Sequence, residues 1–198
     1  GMVELSSIDK DAAILYTINK GKKAKQYTEP ISMRDGGTVT AWFANNPSIK
    51  TTTTFKKLET IQTEVIYASS EEVGDGDAKN LVDGDPATYW HSMYSVTVAK
   101  YPHWVDLDAG EVKTIKGFTY MPRQDSYNGN VKEYTIHVSM DGKNWGEPVQ
   151  KGTFAGNRDE KKVIFSQPVK GRYIRFTALS EQYGQDYASG AELTILAE

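Results

Sequence analysis

Tyr134-Thr135-Ile136-His137-Val138-Ser139 alternates in side-chain character residue by residue and runs on into Asp141-Gly142. A period of two, carried by β-branched and aromatic residues, marks a half-buried strand, and Asp-Gly is a tight-turn signal. The alternation sets His137 opposite Ile136 and Val138, hence toward solvent. The same grammar extends along the chain. Ile14-Leu15-Tyr16-Thr17-Ile18, Thr38-Val39-Thr40-Ala41-Trp42-Phe43 and Tyr173-Ile174-Arg175-Phe176-Thr177 read as strands. Asp35-Gly36-Gly37 and Asn128-Gly129 read as turns. No segment keeps apolar residues at helical spacing for three turns, so the chain is expected to be all-β. Many short strands with regular turns predict a sandwich or a barrel.

The 198 residues are 38% hydrophobic, 25% charged and 11% aromatic, a globular composition. Lys plus Arg is 23 against 26 Asp plus Glu, a net charge of -3 with no basic run. That argues against an electrostatic nucleic-acid binder. No apolar run approaches the roughly 18 residues of a spanning helix, which argues against a membrane protein. Cysteine is absent, which excludes disulfides, thiolate metal sites and cysteine nucleophiles. Gly1-Met2-Val3-Glu4 has neither the basic nor the apolar region of a signal peptide. Gly1 before Met2 reads as a cloning remnant, so a piece of a longer protein is expected.

Thr51-Thr52-Thr53-Thr54 is β-prone rather than flexible, and a boundary is expected just after it. Residues 1–59 hold enough strand signals for a small immunoglobulin-like β-sandwich. Residues 60–198 are the right size for one larger sandwich. The segment from Ile14 to Thr54 resembles the small β-sandwich near the C-terminus of chitobiases and β-hexosaminidases.

The second part carries a more specific pattern. It opens with Ala78-Lys79-Asn80-Leu81-Val82-Asp83-Gly84-Asp85-Pro86-Ala87-Thr88-Tyr89-Trp90-His91-Ser92. Tyr120-Met121-Pro122-Arg123-Gln124-Asp125, Ser139-Met140-Asp141-Gly142-Lys143-Asn144-Trp145, Gly171-Arg172-Tyr173-Ile174-Arg175-Phe176 and Ala191-Glu192-Leu193 follow in order. Together they resemble the discoidin-like, or F5/8 type C, domain. Within it, Pro122-Arg123-Gln124 and the absence of cysteine are most similar to carbohydrate-binding module family 32. The resemblance implies a jelly-roll sandwich of the galactose-binding-domain type, appended to a bacterial glycoside hydrolase.

Asp83-Gly84-Asp85 with Thr88 offers hard oxygen ligands on a tight turn, suitable for calcium or simply for an Asx-type turn. The spacing does not fit an EF-hand. The resemblance implies a structural calcium held by Asn80, Asp83, Asp85, Thr88, Ala191 and Glu192. Asn80, Asp85 and Ala191 would act through their carbonyls.

The other candidates are polar and aromatic. Trp90 reads as core, which turns His91 toward the loop end. His103 beside Pro102 reads as structural. Arg123 offers a fixed fork of donors, and Asn128 a donor and an acceptor together. The resemblance implies that His91, Arg123 and Asn128 surround a sugar hydroxyl. Tyr94, Tyr183 and Tyr187, with Tyr127 as a further candidate, could supply the flat platform on which a sugar stacks. Glu72 could add an acidic acceptor, although Glu71, Glu72, Asp75 and Asp77 also read as a solvated acidic surface.

No Gly-x-Ser-x-Gly elbow, His-Glu-x-x-His or phosphate loop is present, so no enzyme activity is expected. The expected function is recognition of terminal galactose, N-acetylgalactosamine or a related sugar. Such a module would target a covalently linked hydrolase outside, in the periplasm or at the surface of a bacterium. The alternatives are a discoidin-type membrane or protein adhesion module, and a purely structural accessory domain.

Overall fold

A computed structural model describes residues 2–8, 11–33 and 35–198. Gly1, Asp9, Lys10 and Arg34 lie outside the described residues, and so does the reading of Gly1 as a remnant. The chain forms two compact units, Gly1–Leu58 and Glu59–Glu198. Both are β, as the alternation predicts.

Unit 1 begins with β1 (Met2–Val3), β2 (Ile14–Ile18) and β3 (Lys25–Gln26). It continues with β4 (Ile31–Ser32), β5 (Gly37–Phe43) and β6 (Asn46–Phe55). One antiparallel sheet runs in the order β3-β2-β5-β6, and β1 pairs with β4 as a second, shorter layer. The register sets Ile14, Tyr16 and Ile18 beside Phe43, Ala41 and Val39 on one face. Ile31, Met33 and Val39 are buried there. On the opposite face Thr38 and Thr40 bond the hydroxyls of Thr54 and Thr52, each at 3.0 Å. The β-prone threonines thus form an edge strand, exposed from Asn46 to Thr54.

Unit 2 contains β7 (Glu59–Ile61), β8 (Glu64–Ala68), β9 (Trp90–His91), β10 (His103–Met121) and β11 (Glu133–Ser139). After them come β12 (Gln150–Thr153), β13 (Lys161–Ala178), β14 (Ser189–Gly190) and β15 (Glu192–Ala197). Its main sheet runs β12-β11-β13-β10-β15-β7, with β8 added on β10. The first half of β10 pairs with β8 and its second half with β15, with register shifts at Asp108/Lys113 and Ile115/Gly117. Such bulges bend a strand so that it serves both layers of a sandwich. At the bend, a Cβ on Gly117 would lie 2.1 Å from the Val163 carbonyl, so only glycine fits.

The core between the layers is aromatic. Phe118 meets Tyr134 edge-on at 5.5 Å, and Tyr120 stacks on Phe154 at 4.9 Å. Arg175 makes a bidentate pair with Asp106 at 2.6 and 2.7 Å. The one helical turn among the described residues, Ala78–Val82, carries the fully buried Leu81 into the core. His137 keeps its place in the alternation but is not solvent-exposed. It is half-buried, with its Nδ1 unpartnered among the described residues, and its register neighbour Arg175 lies against Trp145 at 4.3 Å.

Candidate functional site

The short pair β9–β14 decides the geometry of the loop end. Ser189 lies opposite His91 in that pair. The Ser189 hydroxyl donates to the Asn128 carbonyl at 2.6 Å, and its N–H to Gly129 O at 2.9 Å. Gly129 adopts φ +74, and a Cβ there would lie 2.7 Å from the Ala188 carbonyl carbon, so this contact also requires glycine. His91 N donates to Gly76 O at 3.1 Å, and Glu72 N to His91 O at 2.8 Å. Four segments distant in sequence are thereby tied around His91. The Tyr120 hydroxyl supports them from the core, donating to Ser189 O at 2.6 Å.

Trp90 is buried, and its Nε1 donates to Ser70 O at 2.9 Å. The His91 ring is 4.9 Å from Tyr94 and 5.4 Å from Tyr187, and Tyr94 and Tyr187 are 6.4 Å apart. His91 is itself buried, and this desolvation, ahead of the opposing Ser92 carbonyl bond, pulls its pKa below 6.5. Its Nδ1 lies 2.7 Å from Ser92 O. A carbonyl only accepts, so the proton sits on Nδ1 and Nε2 of the neutral ring is an acceptor.

Arg123 stacks on Tyr89, 3.6 Å from the ring centroid. Its Nε and Nη2 donate to Asp125 at 2.5 and 2.9 Å. The fork is therefore partly filled, and the Arg123–Asp125 pair presents donors and acceptors together. Asp75 links the two halves, since its Oδ2 accepts from Tyr94 OH at 2.7 Å and Tyr89 OH at 3.2 Å. That bond, foremost, pushes the Tyr94 phenol up to about 12. Asn128 uses its main chain within the loop, and its side chain lies at the exposed surface.

Two expectations change in detail. Glu72 is not part of a solvated surface. It is buried, and it accepts Tyr94 N at 2.7 Å, Ser95 N at 2.9 Å and the Ser95 hydroxyl. The Ser95 bond, followed by the two main-chain bonds, holds its carboxyl below the usual range. Tyr183 stands apart from the His91 cluster, and its ring partner is Tyr127 at 6.1 Å. Asp75, Tyr89 and Asp125 were not singled out as site residues. Asp125 had a signal, two residues past Arg123, but Asp75 and Tyr89 meet only through the fold. His103 is buried, with Nε2 2.7 Å from Asp186 O, a structural contact.

A second constellation surrounds Glu192. Its Oε1 is buried with no hydrogen-bond partner among the described residues. Burial, and then the Asp83 charge, push its pKa up to about 7. Thr88 Oγ1 lies 2.7 Å from Asp83 Oδ2 and 3.0 Å from Asp85 O. The Asn80 side-chain Nδ2 donates to Tyr89 O at 3.1 Å, which leaves its carbonyl oxygens for a ligand role. Among the described residues no three His, Asp or Glu side chains converge as a metal site. The expected donors here are mainly carbonyl and hydroxyl oxygens, the chemistry that calcium accepts. A cavity of 150 Å³ lies against Asp83, Gly84 and Glu192.

Residues 65–193 match the F5/8 type C domain. The chain is 39% identical over 172 residues to a sialidase from Micromonospora viridifaciens, which covers 85% of this chain and 26% of that protein. It therefore spans about a quarter of that relative's length. Unit 2, Glu59–Glu198, has 140 residues, so a match of 172 reaches into unit 1. Among solved structures, CpGH89CBM32-5 from Clostridium perfringens, in complex with GalNAc-β-1,3-galactose, is 31% identical with a TM-score of 0.63. That match covers 69% of this chain and 99% of the other. The family 32 module of C. perfringens NanJ, in complex with galactose, is 27% identical with a TM-score of 0.63, covering 70% and 98%. With the family match over most of unit 2 and the β-sandwich it predicts both in place, the chain belongs to the F5/8 type C domain family.

Proposed function

We propose that unit 2 is a non-catalytic carbohydrate-binding module that takes a terminal galactose-type sugar at the loop end. The observation that carries this reading is the wall formed by His91, Tyr94 and Tyr187 beside the Arg123–Asp125 pair. A sugar hydroxyl donates and accepts at once. His91 Nε2 accepts, Arg123 donates, Asp125 accepts, and the Asn128 amide does both. The tyrosine rings offer the apolar surface for the C–H face of the sugar. The galactose and GalNAc-β-1,3-galactose held by the two Clostridium modules support the same sugar class here. Affinity in the micromolar to millimolar range, about -4 to -8 kcal/mol, needs only a few such contacts.

The module would hold a covalently linked glycoside hydrolase near its glycan, raising the effective concentration of substrate. Unit 1, in the chitobiase-type reading, would be its spacer. An extracellular or periplasmic location fits that role. Asp83 and Glu192 would hold a structural calcium with the Thr88 hydroxyl and the carbonyls of Asn80, Asp85 and Ala191. The ion would neutralise the buried Glu192 carboxylate and pin the C-terminal strand to the Asp83 turn.

Isothermal titration with galactose and N-acetylgalactosamine tests the sugar site. Heat is expected from the wild type and none from His91→Ala or Arg123→Ala. No heat from the wild type with either sugar overturns the galactose-type reading. One observation favours a second reading. Val73 and Val96 stand exposed on the loops beside the site, at 77% and 85%, as the apolar tips of a membrane-adhesion module would. Pelleting with phosphatidylserine vesicles, lost in a Val73→Ser, Val96→Ser variant, would establish that reading instead.

A further inference from the structure

The loop from Glu181 to Tyr187 presents tyrosines on two sides, and only one of them faces the His91 cluster. Tyr187 contacts His91 and Tyr94. Tyr183 crosses Tyr127 at 80° with centroids 6.1 Å apart, and the two rings are 58% and 42% exposed. Arg158 lies over the Tyr127 ring at 4.3 Å. Its Nη1 donates to Gln124 O, which leaves Nε and Nη2 as donors.

The framework under this second group is rigid. Glu181 is 3% exposed and accepts Tyr183 N at 2.7 Å and Gln185 N at 2.5 Å. Gln182 Nε2 donates to Val131 O at 3.2 Å and Phe154 O at 3.0 Å. Gln124 Nε2 bonds Pro122 O at 2.6 Å and Arg158 O at 3.0 Å, joining the Arg158 loop to the Arg123 loop. Exposed aromatic rings held by buried hydrogen bonds lose little freedom when a ligand arrives.

We infer that Tyr183, Tyr127 and Arg158 form a second subsite for the next sugar of the glycan, and that this sugar is neutral. The inference rests on the galactose-type reading of the first site. Gln124, the residue after Arg123, connects the two sites, because its side chain bonds the Arg158 carbonyl and its own carbonyl accepts from Arg158. Tyr127 and Asn128 are adjacent in one loop, and Tyr183 and Tyr187 are four residues apart in the other. The charges argue for a neutral hexose or N-acetylhexosamine. Arg158 and Lys161 flank Asp159 and Glu160, so no net cationic patch greets an acidic sugar. Arg158 supplies donors, and the Tyr127 and Tyr183 hydroxyls can both donate and accept, as adjacent sugar hydroxyls require.

Titration of the full chain with methyl β-galactoside, galactosyl-β-1,4-N-acetylglucosamine, its β-1,3 isomer and galactosyl-β-1,4-glucuronic acid tests this. One neutral disaccharide is expected to bind about three- to tenfold tighter than the monosaccharide, the range of one aromatic contact. Tyr183→Ala should bring that ratio to about one, and Tyr183→Phe, which keeps the ring, should preserve it. Melting curves of both variants report folding. A wild-type ratio of one for every disaccharide, with methyl β-galactoside still bound, overturns the second subsite and leaves the first site standing. A tighter fit for the glucuronic acid probe overturns the neutral assignment. No heat from any probe sinks both readings together.

Discussion

At the loop end three carboxylates are engaged by the loops they organise, Glu72 and Asp75 beside His91 and Glu181 beneath Tyr183. Glu72 takes Tyr94 N, Ser95 N and the Ser95 hydroxyl, Glu181 takes Tyr183 N and Gln185 N, and Asp75 takes two phenols. Around Glu192 the accounting is open. Its Oε1 is buried with no partner among the described residues, and Asp83 beside it adds a like charge. The two regions belong to the same sandwich, so the difference lies in what each awaits. A satisfied loop cluster is a preformed surface for a neutral ligand, whose hydroxyls bring their own donors and acceptors. A buried acceptor beside a second carboxylate is costly until a cation or a proton arrives.

The largest expected effect breaks the comparison at its open end. Calcium at about 100 times its dissociation constant should stabilise the chain by about 2.7 kcal/mol over a chelator-treated sample. For a chain of this size that is roughly 5–10 °C in melting temperature. Glu192→Gln should remove most of this calcium response. An equal response in that variant would place the ion elsewhere.

At the closed end, Glu72→Ala should weaken galactose about tenfold, because Tyr94 and Ser95 lose the carboxylate that positions them. Glu72→Gln keeps an acceptor and should recover part of the loss. A structural role alone would lower the melting temperature without moving the dissociation constant. Tyr120→Phe probes the same cluster from below. The Ser189 carbonyl would lose its donor, at a cost of about 1 kcal/mol in unfolding free energy. Chemical denaturation reads this change.

What the sequence shows and hides follows the range of the interaction. The strand Glu133–Ser139 is legible because period-two alternation is local, and the Thr51–Thr54 run is legible because threonine prefers a pleated surface. His91, Arg123 and Asn128 are singled out by the family resemblance, since their local sequence alone also reads as loop and turn chemistry. The roles of Asp75 and Tyr89 were hidden, since a phenol–carboxylate bond across 14 residues of loop leaves no periodic trace. Glu72 was misread for the same reason. A carboxylate among other acidic residues looks solvated until the segment holding Tyr94 folds over it. His137 failed in the opposite way. Its alternation was right, but Trp145 from a later loop lies over its neighbour Arg175.

The smallest effect is set by pH. Burial holds the His91 pKa below 6.5, with the nearby Arg123 charge helping and the Ser92 carbonyl, Asp75 and Glu72 opposing. The unfolded chain therefore takes up this proton more readily than the folded one. The stabilising contribution is full above about pH 6.5 and shrinks as pH falls through that value. Sugar affinity should follow the same direction. Protonation turns Nε2 from acceptor to donor while Nδ1 stays committed to Ser92 O. Titration calorimetry should give a constant dissociation constant above about pH 6.5 and a rising one toward about pH 5. His91→Gln, with an acceptor that does not titrate, should bind more weakly but with a flat profile. A wild-type profile that is equally flat would remove the imidazole acceptor from the site and leave the tyrosines and the Arg123–Asp125 pair to carry recognition.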